Sequence, residues 1–190
     1  ITSSPIKGTI RRGQNEEEDA ALAHQLYHDT KERAENVMIC DLVRNDLSKI
    51  AAPGTVSVPE LFGIHRFQTV HQMISSVQCD IAEGVEISDI IKATFPMGSM
   101  TGAPKIRAMQ LIDELEGTRR GIYSGSVCCI QPNGDFDMNV VIRSIACNRR
   151  TKRISMQVGG AITALSDPDR EYDECLLKAE AMMETLNGHA

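Results

Sequence analysis

Apolar positions alternate between helical and extended spacing along the chain, in blocks separated by Gly, Pro and Asn. Residues 1–15 (ITSSPIKGTIRRGQN) read as loop with one short strand. Glu16 to Leu47, rich in Ala, Leu, Glu and Lys, favours helix, with a break predicted near Asp29-Thr30 and Thr30 capping the second part. Pro53-Gly54 marks a turn before the strand TVSVPELF, and the β-formers of residues 65–81 predict one long strand. A short helix is predicted over 88–94 and another over 104–115, where Ile106, Met109, Leu111, Ile112 and Leu115 recur at helical spacing. Strands follow at 122–130, 135–147 and 153–158, with Asn133-Gly134 as a hairpin signal requiring positive φ at both central positions. Pro168 to Leu186 closes the chain as a helix with Asp167 as N-cap and Pro168 in the first helical position. Antiparallel strands segregated from helices predict an α+β fold, an antiparallel β-sheet with helices packed on its outer face.

Composition narrows the function. With 190 residues, 42% hydrophobic and 24% charged, the chain is long enough for a sizeable core and resembles ordinary globular proteins. A formal charge of −6 with only isolated pairs of arginines argues against a nucleic-acid binder. The six cysteines form no C-x-x-C pair and mostly sit in apolar runs, where a thiol packs as a small hydrophobe, so a reducing, cytoplasmic location is expected. No apolar run approaches the roughly 20 residues needed to span a bilayer. The chain opens at Ile1, in what reads as a loop, and a fragment of a longer protein is expected.

Candidate chemistry lies in a few motifs. Glu32 with Glu35, and Glu171 with Glu174, are i,i+3 pairs, each on one helical face. Taken singly such a pair is most often solvated surface. If the two faces met, four carboxylates would need a cation, and hard oxygen donors select Mg²⁺. Lys178 follows Glu174 by four residues, either as a helix-stabilising pair or as an ammonium aimed at an anion. The loop Gly98-Ser99-Met100-Thr101-Gly102-Ala103-Pro104-Lys105 opens a helix and could receive a carboxylate on its backbone N–H groups, or be a plain turn and cap. It lacks the Lys-Ser or Lys-Thr of a nucleotide-binding P-loop, which argues against ATP. Gly159-Gly160 could bring bare backbone close to a ligand. Arg143, inside the apolar run VVIRSIA, needs an anion or an edge position with its tip in water. His71 fits a packing histidine better than a catalytic one, and Lys7, between Pro and Gly, is either a solvated loop lysine or a nucleophile.

Taken together, the stretches PIKGT, KERAENVMICDLVRND, PGTVSVPELF, VHQMISSV, FPMGSMTGAPKIRAM, IYSGSV, VVIRSIA, VGGAI and REYDECLLKAE resemble the chorismate-utilising enzymes, a family that includes anthranilate, aminodeoxychorismate, isochorismate and salicylate synthases. They run in family order over nearly the whole chain. The resemblance implies that residues 1–190 are the C-terminal part of a chorismate-binding catalytic domain with a layered fold. It implies Glu35 and Glu174 as direct Mg²⁺ ligands, and Glu32 and Glu171 as carboxylates around its water shell, with the metal binding the ring carboxylate of chorismate. Tyr123 and Arg143, with the backbone of Gly159, Gly160 and Ala161, would anchor the enolpyruvyl carboxylate, and Lys178 would add positive charge. Ser99 and Thr101 fall at pocket positions, and Lys7 and His71 are the catalytic candidates.

Lys7 separates the subfamilies, because PIKGT resembles aminodeoxychorismate synthases whereas anthranilate synthases resemble PIAGT. In the former the lysine is implicated in attacking ring C2 and expelling the C4 hydroxyl, after which ammonia from a glutamine amidotransferase subunit adds at C4. Arg11-Arg12-Gly13 and Met97 resemble anthranilate synthase instead. The family fold also implies an upstream part with a Ser-Pro-Glu general acid, so this chain alone is expected to bind metal poorly and turn over little. The rivals are an anthranilate synthase and a non-catalytic binding or assembly module.

Overall fold

In the computed structural model the strand Val70–Gln78 is buried or half-buried at every position but its last. The structure describes residues 1–164 and 166–188. It divides into two units, Ile1–Glu116 and Gly117–Ala190. The first unit runs β1 (Thr2–Ser3), β2 (Ile6–Arg11), α1 (Glu16–His28), α2 (Thr30–Ser48), β3 (Ser57–Arg66), β4 (Val70–Gln78), α3 (Ile87–Thr94), a single 3-10 turn (Gly98–Met100) and α4 (Lys105–Leu115). β4 is the central strand of an antiparallel sheet: β3 pairs along one edge, and β2 and then β1 share the other. The architecture is α+β, as the segregation of helical and extended blocks predicts.

Local chemistry explains the boundaries. Asn15 caps α1 by accepting from the Glu18 N–H at 2.9 Å. Asp29, not Thr30, caps α2, accepting from the Glu32 N–H at 2.9 Å, while Thr30 is already helical. An ionised carboxylate serves the helix start better than a hydroxyl, because it also complements the dipole. Residues 1–15 hold two strands rather than one. The expected single strand over 65–81 is two, since β3 ends at Arg66 and the chain turns where the Phe67 N–H donates to the Val70 carbonyl at 2.9 Å. β-forming composition runs straight through that turn, so the sequence carries no stop signal there.

The core of the unit packs Leu26 of α1, Phe62 of β3 and Met73 of β4 together, with Ile10 and Ile64 against them. Helix α2 buries Asn36, Ile39, Cys40, Leu42, Asp46 and Leu47, an apolar stripe interrupted by two polar residues. Asn36 is fully buried, and its amide NH₂ donates to the carbonyls of Met73 on β4 (3.3 Å) and Lys7 on β2 (3.4 Å). Its carbonyl oxygen accepts from the Ser75 hydroxyl at 2.5 Å, and that hydroxyl oxygen accepts from the Phe62 N–H at 3.0 Å. One amide therefore bolts a helix to two strands and, through the Ser75 hydroxyl, to a third.

The second unit holds two separate hairpins and a helix: β5 (Ser126–Ile130) with β6 (Phe136–Val140), β7 (Ile145–Asn148) with β8 (Arg153–Met156), and α5 (Pro168–Asn187). Asp167 caps α5, accepting from the Arg170 N–H at 3.0 Å, with Pro168 at its start and Gly188 ending it at φ +73. In the β5–β6 turn Gly134 alone has positive φ (+91), and its N–H donates to the Gln131 carbonyl at 3.0 Å. The loop is longer than the two-residue hairpin expected. The predicted strand 135–147 is broken between Val140 and Ile145, where Arg143 takes φ +49. Cysteine packing also differs from expectation: Cys40 and Cys79 are buried, whereas Cys128, Cys129 and Cys147 are exposed. Ile122, Ile162 and Leu177 are all more than 60% exposed, so this unit presents much of its apolar surface to water.

Replacing Asn36 by alanine should cost about 2–4 kcal/mol, because it strands two backbone carbonyls and the Ser75 hydroxyl in a buried setting. Urea unfolding of the variant measures it, and a loss below about 1 kcal/mol would mean water replaces the amide.

Candidate active site

A β-bulge sets up the first cluster. Along β2, Ile6 pairs with Ile74 and Thr9 with Gln72, so Lys7 and Gly8 together oppose Met73. Such an extra residue bends a strand and re-aims its side chains. Gly8 has φ +96, and a side chain there would crowd Leu26, Met73 and Glu32 at 3.2–3.3 Å. Lys7 is therefore not in a loop, as its Pro and Gly neighbours suggest, but on a strand at the bulge. Its ammonium stands 3.5 Å from the Glu35 carboxylate of α2, both largely shielded from water, and Lys31 approaches Glu35 at 3.8 Å.

Glu32 lies one turn before Glu35. Burial, and then the charge of Glu35, raise its pKa above the ordinary glutamate value, partly opposed by Lys31 and Lys7. The raised value means that ionising Glu32 disfavours the folded state. A hard cation would relieve this strain, and the oxygen donors suit Mg²⁺. Within either unit, the described residues place no three His, Cys, Asp or Glu side chains together around one metal position.

His71 on β4 is 3% exposed, and its Nε2 lies 2.9 Å from Oδ1 of Asp19 on α1. Asp19 also accepts two bonds from Arg12, at 2.7 and 2.9 Å, and the Gly13 N–H at 2.8 Å. These bonds, led by Arg12, hold its carboxyl well below the usual range. Asp19 hides within the acidic run Glu16–Asp19, whose other members are solvated or half-exposed, so no sequence signal marks it.

The loop before α4 differs from an open anion cradle. Gly98 packs on Leu42, where a Cβ would come within 3.1 Å of the leucine. Thr101 donates to the Met97 and Gly98 carbonyls, both at 3.2 Å, and Ser99 is exposed. Lys105 forms an ion pair with buried Asp46, which Lys49 also reaches at 3.0 Å. Gly98 and Lys105 fasten this segment to α2.

In the second unit most of the expected ligand residues gather around the glycine pair. A side chain at Gly159 would lie 3.0 Å from the Tyr123 hydroxyl, and one at Gly160 would lie 2.9 Å from Oε2 of Glu171. Lys178 donates to the Gly159 carbonyl at 3.1 Å and pairs with Glu174. Glu171 is buried and accepts from the Ser166 hydroxyl at 2.8 Å, and Ser166 also reaches the Ala161 carbonyl at 3.4 Å. Arg143 lies not within a strand but in the break after β6, exposed, and donates to the Lys178 carbonyl at 3.2 Å. Outside any strand and exposed, its side chain keeps its charge in water, which is why an arginine can stand inside so apolar a run. Tyr123, Arg143, Gly159, Gly160, Glu171, Glu174 and Lys178 are thus linked by contacts within one unit, although they span more than 50 residues of sequence.

Comparison with known proteins adds identity to this geometry. The family described as chorismate binding enzyme matches residues 1–184. A probable chloroplastic aminodeoxychorismate synthase of Oryza sativa subsp. japonica is 49% identical over 95% of this chain and 20% of its own length. An anthranilate synthase component 1 of Aquifex aeolicus is 45% identical over 98% of this chain and 37% of its own length. The crystal structure of anthranilate synthase component I from Streptococcus pneumoniae superposes with a TM-score of 0.79 at 36% identity, covering 95% of this chain and 39% of that one. The chain therefore spans between a fifth and two-fifths of the length of these proteins.

The contribution of Glu32 to stability should fall as pH rises above the ordinary glutamate value, because the folded state holds its proton more tightly than the unfolded chain. Glu32→Gln should therefore resist more urea than the wild type at pH 7 and about the same at pH 4. Equal midpoints at both pH values would refute the half-buried, repelled carboxylate.

Proposed function

Since the chain belongs to the chorismate binding enzyme family, we propose that it carries the metal and substrate residues of an aminodeoxychorismate synthase component I, aminating chorismate at C4. The observation that carries this reading is Lys7, placed by the bulge against Glu35. Attack on ring C2 by the neutral amine forms a C–N bond, shifts both ring double bonds and breaks the C4–O bond, the hydroxyl leaving as water with the proton that the attacking amine gives up. Ammonia from a glutamine amidotransferase partner then bonds at C4 and the lysine leaves C2, regaining its free amine. The enolpyruvyl group stays attached, and folate precursor synthesis in the cytoplasm is the corresponding role.

Glu35 and Glu174 are the proposed direct Mg²⁺ ligands, with Glu32 and Glu171 the carboxylates around its water shell. When bound, the ion supplies positive charge that holds the ring carboxylate and favours a neutral amine on Lys7. Tyr123, Arg143, Lys178 and the backbone of Gly159, Gly160 and Ala161 receive the substrate's carboxylates, Ser99 and Thr101 are further pocket residues, and His71 acts on a substrate oxygen. A second reading, anthranilate formation with loss of pyruvate, is favoured by the 45% identity to the Aquifex aeolicus protein.

The deciding experiment gives the full-length protein chorismate, ammonium and Mg²⁺ and identifies the product by chromatography and mass. Aminodeoxychorismate retaining its enolpyruvyl group is expected, and Lys7→Ala should abolish it. Anthranilate plus pyruvate would overturn the assignment. In the same protein, MgCl₂ should raise the melting temperature, and Glu35→Gln or Glu174→Gln should remove that rise.

A further inference from the structure

His71 is, with Asp46, the least exposed titratable residue in its unit, and only one of its ring nitrogens is satisfied. Nε2 meets Asp19, whereas Nδ1 is buried without a hydrogen-bond partner. The direction of the Nε2 bond follows from chemistry. Asp19 is held ionised by the paired bonds from Arg12, so it can only accept, and Nε2 must carry the hydrogen. A neutral ring then bears its lone pair on Nδ1. Buried polar atoms are rarely left orphaned, and an orphan opposite an anchored nitrogen is the mark of an atom waiting for a ligand.

The anchor is built from three elements. Gly13 gives its N–H to Asp19, and any side chain at Gly13 would fall 2.2 Å from the α1 backbone, so only glycine lets the loop close on the helix start. Arg12 also donates to the Phe67 carbonyl at 2.6 Å, tying the loop to the β3–β4 turn. Arg66, which pairs with His71 across the sheet, brings its guanidinium within 3.5 Å of Asp19. The charged groups facing the ring are therefore Asp19, Arg12 and Arg66, and Asp19 alone touches it in the contacts described.

We infer that Asp19, fixed by Arg12, is a positioning residue that locks His71 as the Nε2–H tautomer and presents Nδ1 to an oxygen of the substrate. This rests on the proposed catalytic use of His71. The arrangement lets Nδ1 accept a proton from a hydroxyl, or return one once the ring is charged, while the ring cannot rotate or exchange its tautomer.

The test labels the chain's histidines with ¹⁵N and reads the tautomer of His71 by long-range ¹H–¹⁵N correlation. The wild type should show hydrogen on Nε2 and none on Nδ1 when neutral. Asp19→Asn, whose amide can donate, should shift population to Nδ1–H and lower the titration midpoint of the ring, whereas Asp19→Glu should keep the wild-type tautomer. In the full-length protein Asp19→Asn should lower kcat about 10- to 100-fold with a smaller change in KM, and move the histidine limb of the pH profile to lower pH. It should cost nothing further in a His71→Gln background. Hydrogen on Nδ1 in the wild type, or a tautomer and pH profile untouched by Asp19→Asn, would overturn the inference. Full kcat in His71→Gln would instead overturn the catalytic reading on which it rests, leaving the spectra to decide the positioning alone.

Discussion

A central strand that buries hydrophilic side chains must find a partner for each, and this constraint organises the first unit. β4 carries His71 and Ser75 into the interior. Ser75 is met by Asn36 from α2, and His71 by Asp19 from α1. Because an unpaired polar group in the core costs more than a formed bond returns, the two helices are fixed in rotation and height against the sheet. Asn36 then reaches past β4 to the Lys7 carbonyl, so the bond that satisfies the core also holds the bulge carrying the lysine. Packing and chemistry share one set of contacts.

The charges follow the same logic. Asp46 and Asp19 are nearly as buried as the apolar core, yet each is met by cations: Lys49 and Lys105 for Asp46, and Arg12 for Asp19. Glu32 differs, since its nearest strong influence after burial is another carboxylate. Lys31 and Lys7 oppose this only in part, so the Glu32 carboxyl holds its proton more tightly than an ordinary glutamate. In the second unit Glu171 is buried but met by a neutral hydroxyl, and Glu174 is matched with Lys178. The two acidic pairs thus have different surroundings, although their sequence motif is the same.

Glycines carry a comparable share of the design. Gly8 supplies the positive φ of the bulge and Gly13 the close approach to α1. Gly159 and Gly160 leave room for Tyr123 and Glu171, the same side chains that the family resemblance assigns to substrate and metal. Bare backbone at these points lets functional groups stand closer than any Cβ would allow.

Much of this was legible in the residues alone. Helical spacing and caps located the helices within a few residues, and Asp167-Pro168 announced the last of them, because those signals are local. Motif order identified the family, and with it the α+β fold. Tertiary structure decided the rest. β-forming composition could not reveal the turn at Phe67–Thr69, since β propensity reports a half-buried surface rather than a continuous strand. An apolar run could not show that Arg143 sits in a left-handed break. No local pattern could separate buried Asp19 from the glutamates beside it, or tell that Lys105 serves Asp46, because burial and pairing are properties of distant segments brought together. The sequence by itself determined which residues were available for chemistry. Only the fold decided which of them are paired, which are strained and which ring nitrogen is left free.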